Sequence, residues 1–355
     1  MTEAMVRLDA VGKDYGAVRA LSPTSLEIAK GEFLTLLGPS GSGKTTILNL
    51  ISGSIAASAG TIWIGGRNVT GLRPNQRELG MVFQNYALMP HMTVFENIAF
   101  PLRVRRCSET EIRKKVDEVL DVIGLGGYGA RKPKELSGGQ QQRIAIARCL
   151  VYNPDLILMD EPLGALDKKL RDQLQLEIKR IHRTLGVTLL YVTHDQSEAL
   201  VLSDRICLMN GGEVEQIGTP DDLYFRPRTV FAADFLGESN ILDVSVVSSG
   251  TEAKLSTRSG FQIAGVATSL SAPTAKIMIR PESFAVATDG EQGPNTVTGA
   301  VEDVTLTGGV VDIQVRLGDG ETVNVRRLTT RAFRAMERGR SITLSVKPSD
   351  VMVLE

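Results

Sequence analysis

Residues 38–45 read Gly38-Pro39-Ser40-Gly41-Ser42-Gly43-Lys44-Thr45, the pattern G-x-x-x-x-G-K-[ST]. Glycines at this density let a backbone curl around an anion with successive N–H groups turned inward. The apolar run at 33–37 (FLTLL) and the run TTILNLISG behind the loop predict a strand before it and a helix after it. The start of that helix adds a partial positive charge of about half a unit. Lys44 is then set to reach the β- and γ-phosphates of a nucleotide, and the Thr45 hydroxyl to bind Mg2+. A Gly/Ser-rich surface loop has the same composition but no reason to sit between a buried strand and a helix.

The second chemical segment is DLILMDE, 155–161. An apolar strand ending in two acids presents a carboxylate at its edge, and Asp160 there can hold Mg2+ directly or through water. Glu161, one residue on, is placed to orient or deprotonate an attacking water. D-E-P alone would read as a solvated acidic turn before Pro162; beside a phosphate loop the two acids take separate tasks. The third segment is Leu136-Ser137-Gly138-Gly139-Gln140. Ser137 with Gln140 satisfies a capping box at a helix start, which leaves the glycine pair unexplained. Two glycines at a helix N-terminus let a bulky anion come close. One nucleotide uses both phosphate-binding elements when two copies pair head to tail, each Ser137 segment facing the other copy's ATP.

These elements, with Gln84, Ala165-Leu166-Asp167 and His194 in chain order, resemble the ATP-binding subunit of ABC transporters over roughly residues 4–237. The resemblance implies a P-loop NTPase (ABC ATPase) fold of the α/β class with ATP and Mg2+ as ligands. It gives Tyr15 as the aromatic that stacks on adenine, where a strand-edge tyrosine is the plain alternative. It extends the nucleotide contacts of the 38–45 loop to Thr46 and brings in Ser137, Gly138, Gly139 and Gln140. Gln84 becomes a contact to Mg2+ and to the attacking water, and a link to the membrane partner. His194 contacts the γ-phosphate, and Asp167 communicates across the dimer. Catalysis is expected from Glu161, His194, Gln84 and Lys44, and metal binding from Thr45, Gln84 and Asp160. Asp195 and Glu198 are read as helix capping only, and His182 as a solvent-facing residue of a charged helix. His91 lies beside Gln84, in the region where the family receives a permease helix. The basic run Arg103-Val104-Arg105-Arg106 reads as a solvated face that could approach lipid headgroups.

Around these residues the first two thirds of the chain alternate strand-like and helix-like patterns. Strands are predicted at 79–84, 155–161 and 187–193, and helices at 109–125 and 166–185. In 109–125, Ile112, Val116, Val119, Leu120 and Ile123 share one face, and Ser108 with Glu111 forms a capping box. Buried strands separated by helices indicate a largely parallel sheet. A helical subdomain is expected at about 85–155 and the ATPase domain over 1–237. From 238 to 355 the chain becomes strand after short strand, with turns at Gly308-Gly309 and Asp319-Gly320, a small all-β barrel or sandwich. It resembles the OB-like regulatory (transport-associated) domain that follows the ATPase in importers, with Arg280-Pro281-Glu282 as the shared tripeptide.

Forty Lys+Arg against 41 Asp+Glu give no basic surplus, hence no case for nucleic acid as partner. Three scattered cysteines without a C-x-x-C pair fit a reducing compartment. No apolar leader and no apolar run near the ~18 residues of a membrane span occur, so a membrane would be served from the side. The resemblance implies a place on the cytoplasmic face of a bacterial inner membrane. It implies as partners a second copy, transmembrane permease subunits and, indirectly, a solute-binding protein. The segments around 31–41, 64–103 and 160–182 look like importer ATPases of the spermidine/putrescine type, with ferric-iron, sulfate and sugar importers as near relatives. A soluble ABC ATPase acting on DNA or ribosomes is the reading from another class; such chains carry two cassettes or a long coiled coil before the glycine pair, and this one carries neither.

Overall fold

The computed structural model describes residues 3–164, 166–268, 272–286, 295–318, 320–331 and 336–354. Ala165 and Asp319, both named above, lie outside the described residues. The chain divides into two compact units, Met1–Pro220 and Asp221–Glu355.

The first unit runs β1 (Ala4–Tyr15), β2 (Val18–Ala29), β3 (Phe33–Leu37), α1 (Lys44–Ser52), β4 (Ala59–Ile64), β5 (Arg67–Asn68) and β6 (Gly80–Val82). Three helices follow, α2 (Val94–Val104), α3 (Glu109–Val122) and α4 (Gly138–Leu150), then β7 (Leu156–Asp160), α5 (Lys168–Leu185), β8 (Thr188–Thr193), α6 (Gln196–Leu202), β9 (Arg205–Asn210) and β10 (Glu213–Gly218). The central sheet has the order β10-β9-β3-β8-β7-β6. All its pairs are parallel except β9 with β10. Its strands β3, β7 and β8 are buried on both faces, and their side chains alternate between two cores. Phe33, Ile157, Met159, Leu189 and Tyr191 face the core with the α2–α5 side chains. Leu34, Leu36, Leu156, Leu158, Leu190 and Val192 face the core with α1. The period of two in these runs thus serves two hydrophobic layers rather than one layer and water.

The second core is closed by a sheet that the strand–helix alternation does not announce. β2-β1-β4-β5 form an antiparallel layer, whose Val6, Leu8, Leu26 and Ile28 join the side chains of α1. β1 carries several register shifts against β2, which blur its period. The predicted helix at 109–125 is α3 with its expected buried face. Its cap differs from expectation. Ser108 Oγ accepts the Glu111 N–H, but the Glu111 carboxylate pairs one turn onward with Lys115 at 3.0 Å, so no reciprocal box forms. His182 also differs. It is buried, its Nε2 lies 3.0 Å from the Gly31 carbonyl oxygen, and its ring meets Phe33 edge-on at 5.3 Å. The surrounding charges point to solvent from the other face of α5, and residue 182 falls on the core face with Leu174, Ile178 and Ile181.

Among the described residues, the second unit holds two short helices, Pro220–Phe225 (which starts at the last residue of the first unit) and Val230–Phe235, and two five-stranded antiparallel sheets. Both sheets feed one core, Leu242, Leu255, Ile263 and Ile277 from one, Val301, Ile313, Val323 and Leu344 from the other. The Gly308-Gly309 turn joins Thr296–Thr307 to Val310–Leu317, as its type predicts. Strands Gly250–Thr257 and Gln262–Thr268 are additions to the sequence expectation; their Ser, Thr and Gly content dilutes the apolar alternation. Arg280 is buried and donates to the carbonyls of Tyr224, Ala233 and Gly237, so this arginine ties both helices to the sheet.

Candidate functional site

β3, β8, β7 and β6 lie side by side and parallel. Their C-terminal ends therefore open on one edge, where open α/β sheets receive ligands. At that edge the chain continues as Gly38 after β3, His194 after β8, Glu161 after β7 and Gln84 shortly after β6. Four residues far apart in sequence are brought to one rim by strand order alone.

The 38–45 loop wraps between β3 and α1. Gly38 has φ 152, and a Cβ there would come within 2.2 Å of the Met209 carbonyl oxygen on β9. Gly43 caps α1 in a left-handed conformation with no side-chain hydrogen bond to the helix start. No side chain therefore competes with an anion for the first-turn N–H groups. Lys44 is buried and its Nζ donates to the carbonyls of Gly38 and Pro39, each at 2.8 Å, with Ser42 Oγ at 3.5 Å. Burial pushes the Lys44 pKa down, while Glu161 and Asp160 pull it back up. Ser40, Gly41 and Thr45 are exposed, and Pro39, Gly43 and Thr46 are half-buried. The helix start and the buried Lys44 ammonium thus bring backbone N–H donors and a cation together at this end of α1.

Asp160 ends β7, half-buried, and its pKa is raised by burial and by the neighbouring Glu161, against a hydrogen bond from Thr45 and the charge of Lys44. A desolvated carboxylate already joined to the Thr45 hydroxyl is a pair of hard oxygen donors facing the loop. Glu161 adopts φ 42, a left-handed conformation rare for a residue with a side chain. Its N–H donates to the Val192 carbonyl at 2.9 Å, which holds the turn against β8. Its Oε1 lies 3.1 Å from His194 Nδ1. Gly164 leaves room beside this group, for a Cβ there would sit 3.9 Å from Gln84 Nε2 and 4.0 Å from Glu161 Oε2. Glu161 and His194 thus touch, and Gln84 Nε2 and the Glu161 carboxylate both lie near Gly164.

Ser137–Gln140 lie elsewhere, at the head of α4. Ser137 Oγ accepts the Gln140 N–H and Gln140 Oε1 accepts the Ser137 N–H, the expected capping box. The glycine pair has an internal reason as well. A Cβ at Gly138 would meet Leu166 Cδ2 at 3.0 Å and one at Gly139 would meet Leu170 Cδ1 at 2.8 Å, so the glycines let the head of α4 pack closely on Leu166 and on Leu170 in the first turn of α5. Asp167 caps α5 by accepting the Leu170 N–H at 2.9 Å. Tyr15 stands exposed at the end of β1, with Lys13 Nζ 4.8 Å from its ring centre. It belongs to the β1–β2 hairpin, whose Ala20 carbonyl lies 3.1 Å from where a Gly43 Cβ would be. His91 is exposed.

Three polar residues organise the site without appearing among the sequence candidates. Arg148, in the apolar stretch of α4, donates to the carbonyls of Tyr86 and Ala87 at 2.8 and 2.6 Å. Both receiving residues have positive φ, 60 and 46, so α4 pins the strained segment after Gln84. Asn97, fully buried, accepts the Met89 N–H and donates to the carbonyls of Met89 and Thr93. Arg171 bridges to Asp195 and to the Leu166 carbonyl. A charged or amide residue on an otherwise apolar helix face was the available signal for the first two. Asp195 caps α6 as expected, through the Ser197 and Glu198 N–H groups. Glu198 does not cap: its carboxylate turns into the core and accepts from Tyr191 and Thr193.

The chain matches the ABC transporter family over residues 21–164 and the TOBE domain over residues 277–354. It is 42% identical to the spermidine/putrescine import ATP-binding protein PotA of Rubrobacter xylanophilus, across 98% of this chain and 93% of that protein. Against the protein of the same name from Nitratidesulfovibrio vulgaris the identity is 44%, across 93% and 89%. Among solved structures it resembles a dimeric bacterial ABC transporter cassette, at TM-score 0.55 and 37% identity, covering 61% of this chain and 99% of that one. A dimeric ATP-binding cassette in a post-hydrolysis state bound to ADP and Pi gives TM-score 0.54 at the same identity and coverage.

Proposed function

We propose, for a chain that belongs to the ABC transporter family, that it is the ATP-hydrolysing subunit of an importer of the spermidine/putrescine type. The observation that carries the reading is the meeting of the glycine cradle, the Asp160–Glu161 pair, Gln84 and His194 on one sheet edge. The names of the relatives above support the polyamine assignment, and the dimeric cassettes support a working pair of copies.

ATP lies with its phosphates in the cradle of Gly38–Thr46 and its base against Tyr15. Lys44 meets the β- and γ-phosphates. Mg2+, when bound, neutralises phosphate charge and fixes phosphate orientation. Thr45, Asp160 and Gln84 are the residues to hold it. No group of three His, Cys, Asp or Glu able to hold a metal occurs among the described residues. With these three residues, water and phosphate oxygens would complete the shell, as Mg2+ prefers. Glu161 takes the proton of the attacking water, and His194, 3.1 Å from its carboxylate, aims that carboxylate and contacts the γ-phosphate. Ser137–Gln140 of the second copy close on the same nucleotide, with Asp167 relaying across the interface. Hydrolysis removes the shared γ-phosphate and loosens the pair.

Residues 1–237 act as the ATPase domain and 238–355 as a regulatory transport-associated domain. The subdomain at about 85–155 receives the permease, where Phe100 and Val104, four apart on α2, are exposed. No helix among the described residues is long and apolar enough to cross a membrane, which suits a peripheral subunit on the cytoplasmic face, with the solute-binding protein on the far side. The test is Glu161→Gln. It should bind ATP as the wild type does, form a dimer with it, and lose turnover by about 10³-fold, within the range for a general base; wild-type turnover would overturn the assignment. In vesicles holding the permease, labelled spermidine should enter ahead of sulfate, ferric iron or maltose, and preference for one of these would overturn the polyamine reading.

A further inference from the structure

The Arg171 guanidinium joins two segments that both end in proposed site residues. Arg171 lies in the first turn of α5, its backbone N–H donating to the Asp167 carbonyl at 2.9 Å. Nη2 donates to the Leu166 carbonyl at 3.1 Å, directly before Asp167. Nη1 donates to Asp195 Oδ2 at 3.0 Å, directly after His194. Nε lies 3.9 Å from Glu198 Oε1. Each anchor is itself held. Asp195 Oδ1 is occupied by the start of α6, and the Asp195 N–H donates to Thr193 Oγ1 at 3.0 Å. Thr193 Oγ1 donates in turn to Glu198 Oε2 at 2.7 Å, which also accepts from Tyr191 at 2.9 Å. The side chains of Arg171, Asp195 and Glu198 are 28%, 24% and 3% exposed, so the fork works in a largely dry setting where charge-assisted bonds are strong.

We propose that Arg171 is a positioning residue for hydrolysis, setting the distance between the Asp167 turn and His194. The inference rests on the site reading above. The guanidinium reaches the carbonyl and the carboxylate through two separate nitrogens in a fixed plane, whereas an ammonium would have to reach both acceptors from a single nitrogen. The cradle that binds nucleotide is built from β3 and α1, whereas the Arg171 side chain bonds to Leu166, Asp195 and Glu198. Loss of the fork therefore separates chemistry from binding.

The experiment uses the full chain and three readouts: kcat with KM, ATP affinity by calorimetry, and the melting midpoint. Arg171→Lys and Asp195→Asn are the variants. Asn keeps an acceptor for the α6 cap but offers an amide in place of the oxygen that receives Arg171. Each should lower kcat by about tenfold or more, the scale of a sub-ångström misplacement, with KM and ATP affinity within about twofold of wild type by the same argument. The double variant should be no worse than the poorer single one, because both cut the same link. In a His194→Ala background, Arg171→Lys should add little. Wild-type kcat in Asp195→Asn, or full multiplication of the Arg171 and His194 effects, overturns the proposal. A lower melting midpoint with unchanged kcat also overturns it, since that is a structural role alone. If His194→Ala itself keeps wild-type kcat, it is the site reading that fails, and the two failures are told apart. Should Lys at 171 prevent folding, Asp195→Asn carries the test.

Discussion

Gly38→Ala tests how tightly the phosphate loop is set against its sheet. A Cβ at position 38 would stand 2.2 Å from the Met209 carbonyl oxygen and 2.8 Å from Ser42 Oγ. Carbon and a carbonyl oxygen settle at about 3.3 Å, so the two backbones must part by about 1 Å. Neither gives easily. Leu37 is paired with Leu208 on β9, and Met209 with Val214 on β10. Overpacking costs about 1–3 kcal/mol, and a side chain in this glycine-only backbone region adds about 1–3 kcal/mol more. Gly41→Ala is the control. Its φ is 80 and nothing lies within 4 Å of a Cβ there, which leaves only a left-handed backbone cost of about 1–2 kcal/mol. For a unit of this size, about 2–4 °C per kcal/mol puts Gly38→Ala about 10 °C below wild type and Gly41→Ala about 4 °C below. Calorimetric titration with ATP should show affinity falling far more in Gly38→Ala, whose loop entrance has shifted. Equal melting shifts in the two variants, or wild-type ATP affinity in Gly38→Ala, would refute the close-approach argument.

Arg148→Lys should cost about 1–2 kcal/mol, the loss of one charge-assisted bond, and should speed amide exchange at Tyr86–Met89; unchanged exchange there would mean that the strained segment holds itself. His182→Leu should lower the melting midpoint by an amount matching about 1 kcal/mol for the abandoned Gly31 carbonyl, and a neutral or stabilising result would show that the ring serves by its bulk. Asp312 accepts from Arg326 Nε at 2.6 Å, and that bond holds its pKa below the ordinary 3.8. A depressed carboxyl contributes stability above its unfolded pKa and loses it as pH falls through the folded one. Asp312→Asn should therefore melt lower than wild type at pH 7, with the gap closing below pH 3.8; a gap that persists in acid would assign the effect to shape, not charge.

The cradle and the carboxylates were legible in the sequence because each is local: glycine spacing for the loop, an acid pair at the end of an apolar strand, a Ser137–Gln140 box at a helix start. The parallel sheet was legible for the same reason, since its strands are unbroken apolar runs. What joins the pieces was not. Nothing in the spacing of 84, 161 and 194 states that β6, β7 and β8 are neighbours; that is a tertiary fact. The β1–β2–β4 layer was hidden by its register shifts. Arg148 and Arg171 were hidden because a lone arginine in a helix usually points to water, and here Arg148 finds carbonyls, and Arg171 a carboxylate, on segments distant in sequence. His182 misled for the opposite reason, its charged neighbours masking a core-facing position.

The resting bonds of Lys44 have a consequence for what can enter the loop. Two of its three donors are already engaged by Gly38 and Pro39. A small visitor such as chloride would have to displace those contacts while offering little in exchange. A triphosphate supplies oxygens to lysine, loop and helix start together, and so replaces the bolt in the act of drawing it. Lys44 thereby ties the two ends of the loop's own backbone together, and on the proposed site reading a triphosphate would take over these bonds from the Gly38 and Pro39 carbonyls.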